Sequence, residues 1–405
     1  MLSLPDELLE AVLDETGARR DLVALALSCR RVHATADAIG ALKYSRIVAL
    51  FGHDNLWTHL ISSPHLASQV RELEIYCDDA SSVLESMAFS ADELSLSPVA
   101  SAVEPEKIAQ ALRLMKRLYS LTVHLSKNMD ENQTPLNSGL LSVSCNNARA
   151  GLDTLRVRAY PVVDIASLEQ PPIIPDSLSW NLTALRVLDL RGTGYVPASF
   201  WKRICGVMRL STRLEEVYLP QLRLGGVADS DWSFLPHLRV LHVPDMRTSV
   251  AHEVLNFASA HPQLEEFSWQ SPVPYDFLTT NNMPRFPRLL RLVETSHVFI
   301  RALLTLPRTP GSLTLETLEG FELSAETIPL LLALRGERLV SLTLSSLDEK
   351  RTLLDAARLL PNLRKLRILH QVKGEPVSVW EAARAFPRLR AFANATAIYT
   401  VEGTP

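Results

Sequence analysis

The sequence has no apolar run long enough to cross a bilayer, which takes about 20 residues. It has little cysteine. Cys29, Cys77, Cys145 and Cys205 are the four in 405 residues, and the closest two stand 48 positions apart. No pair has the spacing of metal ligands, and so sparse a set makes no disulfide framework. A reducing compartment, cytosol or nucleus, is the expected location, and the first residues carry no basic-then-apolar leader. Neither sign of charge dominates: the net charge is −4 and the pI about 6.3. Nothing here calls for nucleic acid or an anionic membrane as partner.

Catalytic signatures are missing too. G-x-x-x-x-G-K-[ST], G-x-S-x-G and H-E-x-x-H do not occur. His237 and His242 are the closest of the eleven histidines, and no third ligand stands at suitable spacing. Gly192-Thr193-Gly194 follows a strand pattern but lacks the third glycine of a dinucleotide turn, and Pro197 follows it. Acidic pairs such as Glu215-Glu216 and Glu265-Glu266 read as a solvated face. No catalytic residue, cofactor or metal is expected.

What is present is a folded composition, 47% hydrophobic and 21% charged. The chain opens on Leu2-Ser3-Leu4-Pro5-Asp6-Glu7-Leu8-Leu9. Pro5 suits a first helical turn, and Asp6 and Glu7 suit its positive dipole end. Leu8, Leu9, Val12 and Leu13 recur at helical spacing. A second helix is predicted from Asp21 as N-cap, with Leu22, Leu25, Ala26 and Cys29 as its stripe. A third carries Val32, Ala36 and Ile39. So small a bundle has more apolar surface than it can hide. Two readings stay open, a docking surface or packing against the rest of the chain.

Leu4-Pro5-x-Glu7-Leu8-Leu9, Asp21-Leu22-x-x-Leu25 and Ser28-Cys29-Arg30-Arg31, in this order, resemble an F-box over roughly residues 2–46. Many F-boxes carry Trp after the Cys-Arg pair; Val32-His33 stands there instead. The resemblance implies a three-helix module that binds the Skp-type adaptor of an SCF ubiquitin ligase. It places Leu4, Pro5, Leu8, Leu9, Leu22 and Leu25 against that adaptor.

From Tyr44 a strand leaves this module, and a pattern L-x-x-L-x-L then recurs. Its copies start at Val70, Leu118, Leu152, Leu185, Leu214, Leu238, Leu264, Leu289, Leu318, Leu339, Leu363 and Leu389. Steps from Leu214 are 24, 26 and 25 residues, and from Leu339 24 and 26. That recurrence is the signature of leucine-rich repeats. Pro236, Pro262, Pro287, Pro361 and Pro387 precede five copies and are read as ending the previous helix. Helical stretches at Ala251–Ala260, Thr352–Leu360 and Val379–Phe386 lie between strands.

The expected fold is therefore α/β: a three-helix module over 1–46, then a solenoid of about twelve irregular repeats over 47–405. Parallel strands would line the concave face and helices the convex one. Insertions are predicted near 77–106, 126–151, 161–175 and 270–287, and a capping strand at Ile398–Val401.

Strand side chains alternate, so residues flanking the second leucine face away from the core. Arg156, Arg158, Asp189, Arg191, Tyr218 and His242 are the candidate target-binding residues, the three arginines forming a basic spot beside Tyr218. The other reading is a solvated face. Together with the resemblance these features imply the target-recognition subunit of an SCF-type ligase. Its partners would be a Skp-type adaptor, through it a cullin-RING ligase, and a protein target. The alternative is a non-catalytic repeat scaffold whose leading helices only cap the solenoid.

Overall fold

The computed structural model describes residues 5–15, 19–38, 44–50, 52–76, 105–125, 152–159, 182–191, 195–196, 198–219, 221–222, 235–243, 251–270, 286–305, 313–394 and 398–400. The chain divides into two compact units, Met1–Leu214 and Glu215–Pro405. Most of the four expected insertions falls outside the described residues, as do Leu4, Gly192-Thr193-Gly194 and the side chains of Leu22 and Arg158.

In the first unit three helices lead, α1 (Asp6–Glu15), α2 (Arg19–Ser28) and α3 (Arg30–Ala38). Helix α2 begins two residues before the expected cap, so Asp21 lies in its first turn, where the dipole still favours its charge. Leu9, Leu13, Ala26, Val32 and Ala36 form the bundle core, with Leu25 and Cys29 packed against it. The repeats follow: β1 (Arg46–Leu50), α4 (Asp54–Ser62), α5 (Pro64–Ala67), β2 (Glu72–Tyr76), α6 (Pro105–Leu114), β3 (Ser120–Leu125), β4 (Thr154–Ala159) and β5 (Val187–Asp189). Strand β6 (Tyr195–Val196) and helix α7 (Ala198–Leu210) complete the unit. Strands β1 to β5 pair in sequence order, all parallel. Arg71, 2% exposed, joins bundle to repeats by donating from Nη2 to the Leu13 carbonyl at 2.6 Å. A cation at the last turn of α1 suits the negative end of that helix.

The second unit holds β7 (Glu216–Tyr218), β8 (Gln221–Leu222), β9 (Val240–Val243), α8 (Ala251–Ser259), β10 (Glu266–Trp269), β11 (Arg291–Leu292), α9 (His297–Thr305) and β12 (Thr317–Leu323). A 3₁₀ turn (Ile328–Ala333), β13 (Ser341–Leu347), α10 (Lys350–Ala357), β14 (Lys365–Ile368), α11 (Val379–Ala385), β15 (Ala391–Ala393) and β16 (Ile398–Thr400) follow. Strands β7 and β9 to β15 are parallel neighbours in chain order. Strand β16 returns antiparallel to β15, at the expected capping position.

Both units are α/β stacks of leucine-rich-repeat type, and one local device builds them. The first leucine of a copy closes a turn with the residue three before it, as in Leu238 N–H to Leu235 O, Leu264 to His261, Leu363 to Leu360 and Leu389 to Phe386. The prolines therefore occupy the second position of a β-turn, where their fixed φ fits. Both ends of each of these four turns are buried. The next carbonyl after that first apolar residue, Val70 in one copy, accepts two consecutive N–H groups from the following repeat. Arg71 takes Tyr119 and Ser120; Arg239 takes Glu265 and Glu266; Arg364 takes Arg390 and Ala391, at 2.7–3.1 Å.

Polar side chains at the turns tie repeats further. Ser211 Oγ donates to Leu182 O at 2.5 Å in the first unit. In the second, His261 is fully buried, its Nε2 accepts Leu235 N–H at 2.9 Å, and its Nδ1 lies 2.6 Å from Phe257 O. Only a neutral imidazole protonated at Nδ1 satisfies both bonds. Burial pushes its pKa down, opposed by the Phe257 carbonyl.

One expected copy is misplaced. Register pairs Leu318 with Leu342 and Thr317 with Ser341, so the copy starts at Leu315 and not at Leu318. Gly320 is an extra residue, a bulge between Glu319 and Phe321, and the third apolar position passes to Phe321. Counted from Leu315, the flanking steps become 26 and 24 residues. Gly320 sits at φ +90, and a Cβ there would run into the Thr295 carbonyl oxygen. Gly374 has φ +80 with open space around it. Gly320→Ala is expected to destabilise by about 2–4 kcal/mol and Gly374→Ala by about 1 kcal/mol, because only the first adds a backbone collision to strain. Urea unfolding of both variants checks this; equal losses would contradict the collision.

Candidate functional site

Register lines the outward side chains into rows. In the first unit one row runs Arg46, Glu72, Ser120, Thr154, Val187, and the next Val48, Glu74, Thr122, Arg156, Asp189. The residues between them, Leu73, Leu121, Leu155 and Leu188, are core, as are Ile75 and Val123 just beyond the second row. The rows frame a small open depression of about 190 Å³ lined by Arg46, Glu72, Glu74, Ser120, Thr122 and Arg156.

Glu74 is its electrostatic centre. Oε1 accepts from Tyr76 Oη at 2.9 Å and lies 2.8 Å from His124 Nε2; Oε2 accepts from Arg46 Nη2 at 2.9 Å. These bonds, His124 foremost, hold its pKa at about 2 against the opposing effect of burial. The Tyr76 and His124 rings stack, centroids 4.0 Å apart and 3° from coplanar. Glu72 accepts from Tyr119 Oη at 2.7 Å. Arg156, Ser120 and Thr122 make no side-chain hydrogen bond or ion pair among the described residues.

The second unit repeats this composition. Glu266 lies 2.7 Å from His242 Nε2 through Oε1 and 2.8 Å from Arg291 Nε through Oε2. The Tyr218 ring lies against His242, centroids 4.5 Å apart, and its hydroxyl donates to Glu216 at 3.1 Å. Burial pushes the Glu319 carboxyl up, and the Glu294 and Glu266 carboxylates add to that. A hydrogen bond from the Glu294 backbone and the charge of Arg367 oppose it. Glu294 itself has φ 46, the one non-glycine residue with positive φ among the described residues.

The sequence-predicted residues divide as follows. On α1, Pro5 is exposed, Leu8 is 51% exposed and Leu9 only 1%. Leu9 is thus a core residue of the bundle and not part of its surface, because it shares the inward ridge with Leu13. Val12, 37% exposed, takes its place beside Leu8 on the outward ridge. Leu25 is half-buried against the core.

Of the target-facing set, Asp189 is 1% exposed and held by Arg191 in a two-pronged pair, Nε–Oδ1 3.0 Å and Nη2–Oδ2 2.9 Å. Arg191 is therefore neutralised, which removes it from the expected basic spot. Arg156 is half-buried in the depression. Tyr218 and His242 belong to the second unit, and His242 is 6% exposed. Glu74, His124, Tyr76 and Arg46 are not among the sequence-predicted residues. The same alternation applied to the copies at Val70 and Leu118 points to Glu74 and, carried one step further, to Tyr76 and His124 alike.

Among the described residues no group of His, Cys, Asp or Glu could hold a metal ion, and no helix is long and apolar enough to cross a membrane.

No protein-family model matches the sequence, and no curated protein matches it. Solved structures that resemble the fold include a chain of the Rad7 and Elc1 complex in yeast, 12% identical, with TM-score 0.46, covering 92% of this chain and 91% of that one. Another is the TLR13–ssRNA13 complex, 14% identical, with TM-score 0.32, covering 81% and 39%. Both likenesses are too distant to bear on function, and the repeat assignment rests on the strand ladder itself.

Glu74→Gln is expected to lower stability at pH 7 by about 1–2 kcal/mol, allowing for partial solvent screening. The folded pKa, about 2, lies below the ordinary 4.5. The contribution is therefore complete above pH about 4.5 and fades as pH falls toward 2. Urea titrations of both proteins at stepped pH should converge on the acid side. A constant gap would show that ionised Glu74 is not what the cluster stabilises.

Proposed function

We propose that this chain is a receptor that links a protein target to an adaptor of the Skp type, as the target-recognition subunit of an SCF-type ubiquitin ligase. The observation that carries the reading is the double ridge on α1. Leu9 and Leu13 fill the bundle core, while Leu8 and Val12, one turn apart, stand exposed beside exposed Pro5. Leu27 of α2 adds a side chain 77% exposed. Apolar side chains left in water around a small module favour a docking role. The resemblance of residues 2–46 to an F-box supports an adaptor as occupant.

The outward strand rows, with their Tyr, His and Arg side chains, supply the surface for the target. No residue of this chain enters the chemistry in this reading. Acceleration would come from holding the target at raised effective concentration near a ubiquitin-conjugating enzyme. The second reading, a module that only caps the repeats, is favoured by one observation, the buried Arg71–Leu13 bond. That bond covers the end of α1 and leaves Leu8 and Val12 outside.

Leu8→Asp with Val12→Asp is expected to abolish capture by a purified Skp-type adaptor while circular dichroism and melting temperature hold. Leu9→Ala is expected to cost about 2–5 kcal/mol of stability instead, since it opens a cavity. Undiminished capture by the double variant would remove the adaptor role, and loss of fold in it would favour the cap.

A further inference from the structure

Among the described residues, the depression on the first unit contains one cation without a matching anion. Arg46 is committed to Glu74 at 2.9 Å. Both Glu74 oxygens are engaged, by Tyr76 and His124 on one and Arg46 on the other. Glu72 takes the Tyr119 hydroxyl. Across the row on the other side, Asp189 is held at both oxygens by Arg191. Arg156 stands between, its register partners being Thr122 and Asp189. Each carboxylate near it in the row is already spoken for. The Thr122 and Ser120 hydroxyls beside it are also unused among the described residues.

We infer that Arg156, with Thr122 and Ser120, forms a subsite for a carboxylate presented by the protein target, an Asp or Glu side chain. This deepens the target-receptor reading and rests on it. A guanidinium offers two parallel N–H groups that match a carboxylate, and a neighbouring hydroxyl can donate a third bond. The occupant is a monoanion and not a phosphate. Glu72 and Glu74 stand on the same wall, and a group carrying about −1.5 to −2 charge would meet both. A neutral amide would leave the cation unmatched. The sheet fixes the three groups on neighbouring strands β3 and β4, about 4.8 Å apart, so the subsite needs no rearrangement to form.

The test uses the whole chain alone, without adaptor or target, so it can fail while the adaptor reading stands. N-acetylglutamate α-amide, N-acetylglutamine α-amide and N-acetylphosphoserine α-amide are titrated while the side-chain N–H signals of arginine are followed by NMR. The Arg156 signal, assigned by its disappearance in Arg156→Gln, should shift saturably with the glutamate probe. The glutamine probe should leave it in place, and the phosphoserine probe should bind at least threefold more weakly than the glutamate one. Arg156→Lys should weaken the glutamate probe at least fivefold, because charge remains but the fork is lost. Thermal unfolding of the variants confirms that they are folded. No shift with the glutamate probe, equal response to glutamine, or preference for phosphoserine would each overturn the assignment.

Discussion

A single carbonyl that accepts two successive N–H groups from the next repeat holds each stack in register. The bond pair sits where the buried turn meets the strand, so it sets both the strand's start and which of its faces points inward. Every downstream feature inherits that setting. The leucines reach the core because the strand begins where it does, and Glu74, Thr122 and Arg156 share a row for the same reason. A slip by one residue would turn the row into the core and expose the leucines. Backbone groups make the pairing, so side chains at the outward positions are free to vary.

That freedom explains the two clusters built alike. In each unit a tyrosine ring lies on a histidine, and a glutamate bridges the histidine to an arginine. Strand spacing brings such side chains within bonding reach of the neighbouring repeat. Charges left on an exposed sheet face are thereby mostly paired within the molecule. Against that background an unmatched group such as Arg156 carries information. The leading bundle follows the same logic in apolar terms, with one ridge of α1 consumed by the core and the other not.

Much of this is legible from pattern. The α/β repeat class follows from the L-x-x-L-x-L copies, and most strands lie where their copies put them. The copy expected at Leu318 is out of place because a bulge adds one residue, and Gly320 alone gives no sign of the Thr295 carbonyl that demands it. The prolines stand where the pattern puts them and shape the turn: α8 ends at Ser259 and α10 at Ala357, short of Pro262 and Pro361, whereas α11 ends at Ala385, with Phe386 extended directly before Pro387. Site residues are less legible. Arg191 and Asp189 are two apart in sequence, and alternation says only that both face outward; their mutual pairing is a matter of rotamer and burial. Leu8 and Leu9 are adjacent in sequence, and which of them is core depends on how α1 rolls against Val32 and Ala36.

The reversed direction of β16 has a consequence for assembly. Parallel stacking is open-ended in principle, since any repeat offers the next the same carbonyl. A strand running the other way interrupts that series, because a further repeat set against it would pair antiparallel and not through the same two-bond carbonyl. The handover from one repeat's carbonyl to the next thus stops at β15, and a strand added at the edge of β16 would meet a different hydrogen-bond pattern from the one that joins the repeats.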